Sequence, residues 1–440
     1  MKKLYKNRNF LKVNYQNMLK CLVRGVDTMP SARIHEAITK KINQEYNFDE
    51  LLLRIGTISP DCWRNIPKDS GVKDKYLSHF WDFRVKEDQA NNYVNFYIKY
   101  YNSLNNPFYF GYLLHLIVDQ YWKSFVDPKY ERRINGELYV VAKNGVMIKD
   151  ENWFSYYEGI KMQQRLAKRY HLDYLPINIE DYREFSCEID ELNINGLFGE
   201  NGSIDYINKT LFMNDDVEES VIYDDESIEK NINETTQFIK QELLRLKDIK
   251  NEYDSKIKIA VDIDDTILST KELEDYYWKI FLKEHPEIDS TKEYHWGDPE
   301  LALFWKEHRE DMAYGKIKNG VTESFNKMLE DGYIVDLLSA RPIDKYASLL
   351  KKLSEYFESN NVNYNQIHLG FYSKIKFLLE HNYDILIDNE LRHIETANKN
   401  GISTILYGPF NPNYNGVQTD DWSKIPLLID QITKSKNKIV

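Results

Sequence analysis

Cysteine is scarce in this chain of 440 residues: Cys21, Cys62 and Cys187 are odd in number and show no paired spacing. That argues against a disulfide framework or a cysteine-only zinc site and points to thiols in a reducing compartment. Long apolar runs are missing too. The most apolar stretch, Phe108 to Val118, is broken by His115 and falls far short of the roughly 20 residues a bilayer crossing needs. The first 28 residues carry Lys2, Lys3, Lys6, Arg8, Lys12, Lys20 and Arg24, with their apolar residues broken up by Asn, Gln and Lys, so no secretory h-region is present. A broad basic face is also absent. The net charge of -12 speaks against a nonspecific nucleic-acid partner. These absences predict a cytoplasmic protein with no stable membrane insertion, and leave room for a small anionic substrate held by local cations or metals.

The length exceeds one ordinary core, so two domains are expected. Residues 1–28 read as a basic extension, and Met29-Pro30-Ser31 makes an equally good start. From Ser31, an available N-cap, the apolar residues Ile34, Ala37, Ile38 and Ile42 recur at helical spacing, with His35 on or beside that stripe. A loop at Ile58-Ser59-Pro60-Asp61 presents Asp61, and Leu77-Ser78-His79-Phe80 presents His79. Phe108 to Trp122 reads as an apolar helix with two strongly polar groups in its middle, His115 and Asp119, four apart and so on one face. Alone, such a pair fits a hydrogen-bonded link between helices. Together with His35, Asp61 and His79 it becomes the imidazole and carboxylate set that zinc prefers. Asn144-Gly145 predicts a hairpin within Ile134 to Ile148, and helices are expected over Trp153 to Tyr170 and about Ile179 to Leu192.

Asn214 to Glu229 holds eight acidic residues and no base, which reads as a solvated connector. A charged helix with an apolar stripe follows over Thr235 to Ile249. From Lys256 strands and helices alternate, the pattern of a parallel sheet covered on both faces. The stretch Lys256 to Thr266 is a buried strand ending in carboxylates, Asp262 and Asp264, that cannot stay buried without a cationic partner. Further strands are expected at Tyr333 to Leu338, Val362 to Phe371, Tyr383 to Asp388 and Gly401 to Tyr407. They end near Ser339 and Arg341, before Lys374, and at Asp388. Helices at Glu272 to Lys283 and Leu301 to Met312, with Trp278, Trp296, Phe304 and Trp305, lie between the first two strands. Their aromatics suit a small core of their own.

Two resemblances follow from these residues. The order His35, Ser-Pro-Asp61, Ser-His79-Phe and His115-Leu-Ile-Val-Asp119 resembles the zinc-dependent phospholipase C family, an all-helical domain. The resemblance implies that Asp61, His79, His115 and Asp119 surround one Zn2+, that His35 ligates a neighbouring metal bridged by Asp119, and that Asp61 also serves as base in phosphodiester hydrolysis. The family's later histidine ligands are missing, since no histidine follows Asp119 until His171, and Glu158 is the weak candidate replacement. The D-x-D-x-T of Asp262 to Thr266 resembles the haloacid dehalogenase-like (HAD) phosphatases, and Ser-Ala-Arg-Pro at 339–342 is most similar to their nucleotidase-type branches. That implies a Rossmann-like α/β domain with a helical cap at about 270–318.

It also implies Mg2+ held by Asp262, Asp264 and Asp388, Asp262 as nucleophile, and Asp264 as general acid and base. Ser339 and Lys374 would hold phosphoryl oxygens, and Arg341 would contact substrate or brace its turn. Lys374 is preferred to Lys376, Thr266 is read as loop support, and with Asn389 in place of the usual second acid either a metal-bound water is held more weakly or Glu390 compensates. The expected architecture is therefore a helical metal-binding domain with a small β-hairpin insertion (29–212), an acidic linker and helix (213–255) and an HAD-like domain (256–436). The expected function is hydrolysis of a small phosphorylated substrate. The rival is a binding or sensing protein in which the helical domain recognises a phosphorylated headgroup and the second half is a phosphate-dependent switch. An intact Asp262 and Asp264 pair speaks against the rival.

Overall fold

The structure is a computed structural model, and it describes residues 31–63, 75–82, 84, 92–151, 154–172, 174–175, 189, 191–192, 194–198, 202–210, 218–294, 298–341 and 348–436. The basic extension, Cys21, Cys187, Trp296 and most of the helix expected near Ile179 lie outside the described residues. The chain divides into two compact units, Met1–Leu246 and Lys247–Val440.

The first unit is helical. Its centre is the helix Pro107–Tyr121, started by Asn106, whose side chain accepts from the Phe108 N–H at 2.9 Å, and by Pro107 in the first turn. Residues Phe108 to Val118 of this helix are all buried, His115 among them. It packs against the helix Glu50–Ile58 at glycine contacts. A Cβ at Gly111 would lie 2.2 Å from the Leu53 carbonyl oxygen, and one at Gly56 would lie 2.1 Å from that of Phe108. Only hydrogen fits at either position, and the resulting close approach brings the Thr57 carbonyl to 2.7 Å from His115 Nδ1. After Tyr121 the chain widens into a π-helix, Trp122–Val126, in which buried Trp122 donates to Thr235 Oγ1 at 3.0 Å.

The helix Ala32–Tyr46 begins after Ser31, whose carbonyl accepts from Ile34 and His35 but whose hydroxyl makes no capping bond, so the expected side-chain cap is not formed. The insertion is a three-stranded antiparallel sheet rather than a single hairpin: β1 (Glu131–Ile134), β2 (Glu137–Val141) and β3 (Met147–Lys149). Besides the expected turn at Gly145, Asn135 and Gly136 with φ of 52° and 82° make the tight turn between β1 and β2.

The acidic run is not a solvated connector over its described part. Ile222 and Tyr223 are buried in the helical core, and a 31-residue helix, Asp225–Ser255, starts within the run. Its acids face outward onto cations, Asp225 onto Arg165 and Arg169 and Glu229 onto Lys41, while Ile228, Ile232, Ile239 and Leu246 join the core. No helix among the described residues is long and apolar enough to cross a membrane.

The second unit is a six-stranded sheet in the order β11-β10-β9-β4-β7-β8, with every pairing parallel. Its strands are β4 (Lys258–Val261), β7 (Ile334–Ser339), β8 (Ile367–Leu369), β9 (Ile385–Asp388), β10 (Ser403–Tyr407) and β11 (Val417–Thr419). Alternate residues serve the two faces. Ile259, Val261, Leu337 and Ile387 pack with Phe325, Leu353 and Ile425 on one side, while Ala260, Leu338 and Leu386 pack with Phe377 and Ile394 on the other. The third expected strand shrinks to three residues, and β11 was not anticipated.

Between β4 and β7 lies an insertion with its own hairpin, β5 (Leu268–Ser269) and β6 (Lys316–Ile317), and two helices, Thr270–Glu284 and Pro299–His308. Phe281, Phe304 and Met312 form a separate small core there, with Trp278 edge-on to Phe304 at 5.0 Å.

Because the two glycines set the helix crossing, Gly111→Ala is expected to destabilise the helical unit by about 1–3 kcal/mol or more, as overpacked sites do. Calorimetry should show the loss as a lowered melting temperature for the unfolding of the helical unit.

Candidate functional site

Two groups of polar side chains are withdrawn from water, one in each unit. In the α/β unit the chain runs from β4 to β7 and β8 on one side, then returns to β9, β10 and β11 on the other. The strand order therefore reverses beside β4, at the carboxyl ends, where open α/β sheets bind ligands. Asp262 follows β4 there and Asp388 ends β9, the Asp262 N–H donating to the Ile387 carbonyl at 2.9 Å.

Lys374, at the start of the helix after β8, reaches both acids: Nζ lies 2.5 Å from Asp262 Oδ1 and 2.6 Å from Asp388 Oδ2. All three are buried. Asp388 also receives the Glu390 N–H at 2.8 Å and His393 Nδ1 at 3.0 Å. Burial pushes Asp388 up, but Lys374 and His393 outweigh it and hold the carboxyl below its usual range. Asp262 has less support. Burial pushes it up to about 7, with Lys374 pulling it down and the charges of Asp388 and Asp264 adding to the rise. Thr266 Oγ1 donates to Asp262 Oδ2 at 3.0 Å, so it touches the carboxylate itself.

Asp264 is held differently. Arg341 grips it with Nε at 2.9 Å from Oδ2 and a terminal nitrogen at 2.6 Å from Oδ1, and a terminal nitrogen also donates to the Met312 carbonyl at 3.0 Å. Burial acts to raise Asp264, and Arg341 overcomes it, so the carboxyl sits below its usual range. Arg341 is buried and makes the bracing contacts rather than facing solvent. Ser339 Oγ lies 3.4 Å from Asp264 Oδ2 and accepts from the Arg341 N–H at 3.2 Å. The next residue, Asp265, has φ of 55°, and its side chain accepts from the Thr270 and Lys271 N–H groups, which turns the chain sharply into the following helix.

Asp262, Asp264 and Asp388 are not among the described groups whose ligand atoms lie within 4.8 Å of one another. The reason is visible in the contacts: Lys374 supplies the positive charge between Asp262 and Asp388, and Arg341 draws Asp264 to itself. Glu390 pairs with Arg392 rather than compensating for Asn389, whose Oδ1 accepts from Thr266 at 3.3 Å. Lys376 is exposed and lies 3.8 Å from Glu380.

In the helical unit, His35, Asp61, His79, His115 and Asp119 converge. His115 Nδ1 lies 2.7 Å from the Thr57 carbonyl, which only accepts, so that nitrogen carries a proton. His79 Nδ1 lies 3.0 Å from Ser78 Oγ and 3.2 Å from the Lys75 carbonyl. The two Nε2 atoms are 3.4 Å apart, and Asp119 Oδ2 lies 3.3 Å from that of His79 and 3.6 Å from that of His115. Asp61 Oδ1 is 3.7 Å from His79 Nε2.

His35 stacks on His115 with ring centroids 3.9 Å apart, its Nε2 lies 3.2 Å from Asp119 Oδ1, and its Nδ1 is buried without a hydrogen-bond partner. Three imidazoles and two carboxylates turned to one small space make a donor set that suits a cation. Burial lowers His79, and burial with the neighbouring His115 lowers His35 to about 4, whereas Asp119 overcomes burial to raise His115.

Two ligand groups fit within 4.8 Å, His35 with His115 and Asp119, and Asp61 with His79 and His115. His115 belongs to both groups, and Asp119 turns Oδ1 to His35 and Oδ2 to His79 and His115. Glu158 is no replacement ligand: it accepts from Ser220 Oγ at 2.8 Å and the Val221 N–H and pairs with Lys161.

Sequence reasoning missed His393, five residues beyond Asp388. It also missed Lys318, which donates to the Asp265 carbonyl and whose charge interacts with Asp262.

No family model matches the chain, and no curated protein matches it. Among solved structures it is similar to a putative β-phosphoglucomutase from Thermotoga maritima, at 13% identity and a TM-score of 0.30 over 40% of this chain and 99% of that one. A haloacid dehalogenase-like family hydrolase from Xanthomonas campestris shares 13% identity at a TM-score of 0.31 over 42% and 98%. The putative HAD-hydrolase YfnB from Bacillus subtilis, bound to magnesium, shares 13% at 0.31 over 40% and 98%. Likeness of this degree says nothing of what the chain acts on.

The raised Asp262 has a thermodynamic signature. An unfolded aspartate ionises near pH 4, so the stability contributed by neutral Asp262 is complete below that and is lost as pH rises through about 7. The melting temperature of Asp262→Asn, relative to wild type, is therefore expected to climb between about pH 4 and pH 7. Thermal melts of both proteins across that window check it, and a flat difference would contradict the raised value.

Proposed function

We propose that the unit Lys247–Val440 is a phosphomonoester hydrolase, of the nucleotidase-like kind its motif resembles, with Asp262 as nucleophile. The observation that carries this reading is the placement of Asp262 beside the reversal in strand order, 2.5 Å from Lys374, with the separately held Asp264 two residues on. An ionised Asp262 oxygen attacks phosphorus and the P–O bond to the alcohol breaks; the departing oxygen takes a proton from Asp264, which must first be protonated against the Arg341 charge that holds it ionised. Water then attacks the aspartyl phosphate, giving its proton to Asp264 and releasing inorganic phosphate. Lys374 and Ser339 hold the phosphoryl oxygens whose charge must be stabilised. No step is assigned to a metal.

The test is a screen of phosphomonoesters on the full chain, run with and without magnesium. Asp262→Asn is expected to lower kcat by about 10³-fold or more, as loss of a covalent nucleophile does, and substrate-trapped wild type should carry one phosphoryl group on the Asp262 peptide. Turnover that survives Asp262→Asn would overturn Asp262 as nucleophile, and a biological function unchanged in that variant with no turnover by wild type would favour a binding or sensing role.

A second reading is favoured by the convergence of three imidazoles and two carboxylates in the helical unit. Zinc held by His35, His79, His115, Asp61 and Asp119 would, when bound, supply a Lewis acid for phosphodiester cleavage. Asp61 is the candidate base. Purified full chain is expected to carry zinc, and His115→Ala to weaken it by more than the roughly 10–100-fold typical of outer-shell partners. Chelator competition measures this, and an unchanged zinc content would refute the site.

A further inference from the structure

The loop that leads from Asp262 into the insertion is held from behind. Three successive carbonyls in it accept from donors outside the loop: that of Asp265 from Lys318 Nζ, that of Thr266 from Trp422 Nε1 at 3.0 Å, and that of Ile267 from the Lys318 N–H at 2.9 Å. Trp422 opens the short turn Trp422–Lys424 and is fully buried, and its ring N–H can only donate. The indole is itself fixed. Ser324 Oγ donates to the Trp422 carbonyl at 2.7 Å, and Phe325 and Tyr407 pack on the ring with centroids 5.5 and 5.3 Å away. Lys318 Nζ lies 4.6 Å from the centroid of the same Tyr407 ring, so lysine, tyrosine and indole form one packed group behind the loop.

That group has a route to the chemistry. The Asp265 and Thr266 carbonyls belong to the two rigid peptide planes that flank Thr266, so holding both fixes the direction in which its side chain leaves the backbone. The Thr266 hydroxyl then donates to Asp262 Oδ2 at 3.0 Å, while Lys374 occupies Oδ1. Attack on phosphorus needs the carboxylate oxygen aligned with the bond that breaks, and a displacement of about 1 Å can cost about 100-fold in rate. Building on the reading of Asp262 as nucleophile, we propose that Trp422 and Lys318 are positioning residues for that attack, acting through the backbone of Thr266 without touching substrate. The aim of the aspartate is thereby set from a residue 156 positions further along the chain than Thr266.

p-Nitrophenyl phosphate tests this on the full chain with magnesium supplied. Its phenolate departs with little help from Asp264, so single-turnover release with enzyme in excess reads the attack by Asp262. Trp422→Phe keeps a buried ring and removes the N–H. It is expected to slow release at saturation by about 10- to 100-fold while the half-saturating enzyme concentration stays in place. Thr266→Val is expected to slow release too, and adding Trp422→Phe to it should cost little more, because both act on one carboxylate oxygen. A merely structural loss would instead multiply the two effects. Should Trp422→Phe melt below the assay temperature, Lys318→Met, which alters a half-buried side chain, goes through the same cycle with the same expectation. Unchanged release by a folded variant, a change confined to half-saturation, or effects that multiply overturns the proposal and leaves the nucleophile reading standing. Absence of release by wild type removes that reading, and the proposal falls with it.

Discussion

A single ammonium, Lys374 Nζ, stands between two carboxylates that the parallel sheet has taken out of water. Withdrawing a carboxylate from water costs several kcal/mol unless a counter-charge and hydrogen bonds offset it. Here one positive charge serves two acids. Asp388 secures its share with help from His393 and the Glu390 N–H, and Asp262 carries the shortfall. The arrangement at the sheet edge follows from that imbalance: one acid is fixed and ionised, one is poised, and Asp264 is kept apart by a cation of its own. Helix and strand positions alone would not produce it, because the charges are supplied by four separate elements.

Asp336 shows how the same fold treats an acid with no part in that site. It is fully buried in β7, and it accepts from Tyr253 at 2.8 Å, Tyr383 at 2.6 Å and the Gln366 N–H at 2.8 Å. Neutral donors satisfy its oxygens, and burial raises it to about 6. Where the sheet needs only cohesion it uses hydroxyls; at the strand ends it uses cations. The helical unit faces the converse problem. His115 and His79 turn Nδ1 to the Thr57 and Lys75 carbonyls, and His79 also to Ser78, so that their Nε2 atoms face the Asp119 and Asp61 carboxylates.

Much of this was legible in the residues. The run of β-branched side chains before Asp262, the apolar face of Phe108 to Val118, and the placing of Ser339, Lys374 and Asp388 at strand ends all follow from periodicity and the cost of burying charge. What was not legible depends on contacts between distant residues. Nothing in the spacing says that Arg341 will take both oxygens of Asp264, or that Lys374 will take the place expected for a metal. The acidic stretch misled for another reason. Its charge hid the spacing of Ile222, Tyr223, Ile228 and Ile232, which is what the core responds to. Strand β11, three half-buried residues, is too short to leave a periodic signal.

The π-helix at Trp122–Val126 follows directly on Asp119 and the buried turn of His115. Such widened turns accommodate one more residue than an α-helix of the same rise. An extra residue is thereby absorbed within Trp122–Val126 instead of being passed on as a turn of about 100° to the chain beyond it. The contacts on either side of the widening, His115 to Thr57 and Trp122 to Thr235, are made within one continuous run of helix. The bulge is thus a slack turn, a place where chain length can change by one without re-aiming the histidine cluster.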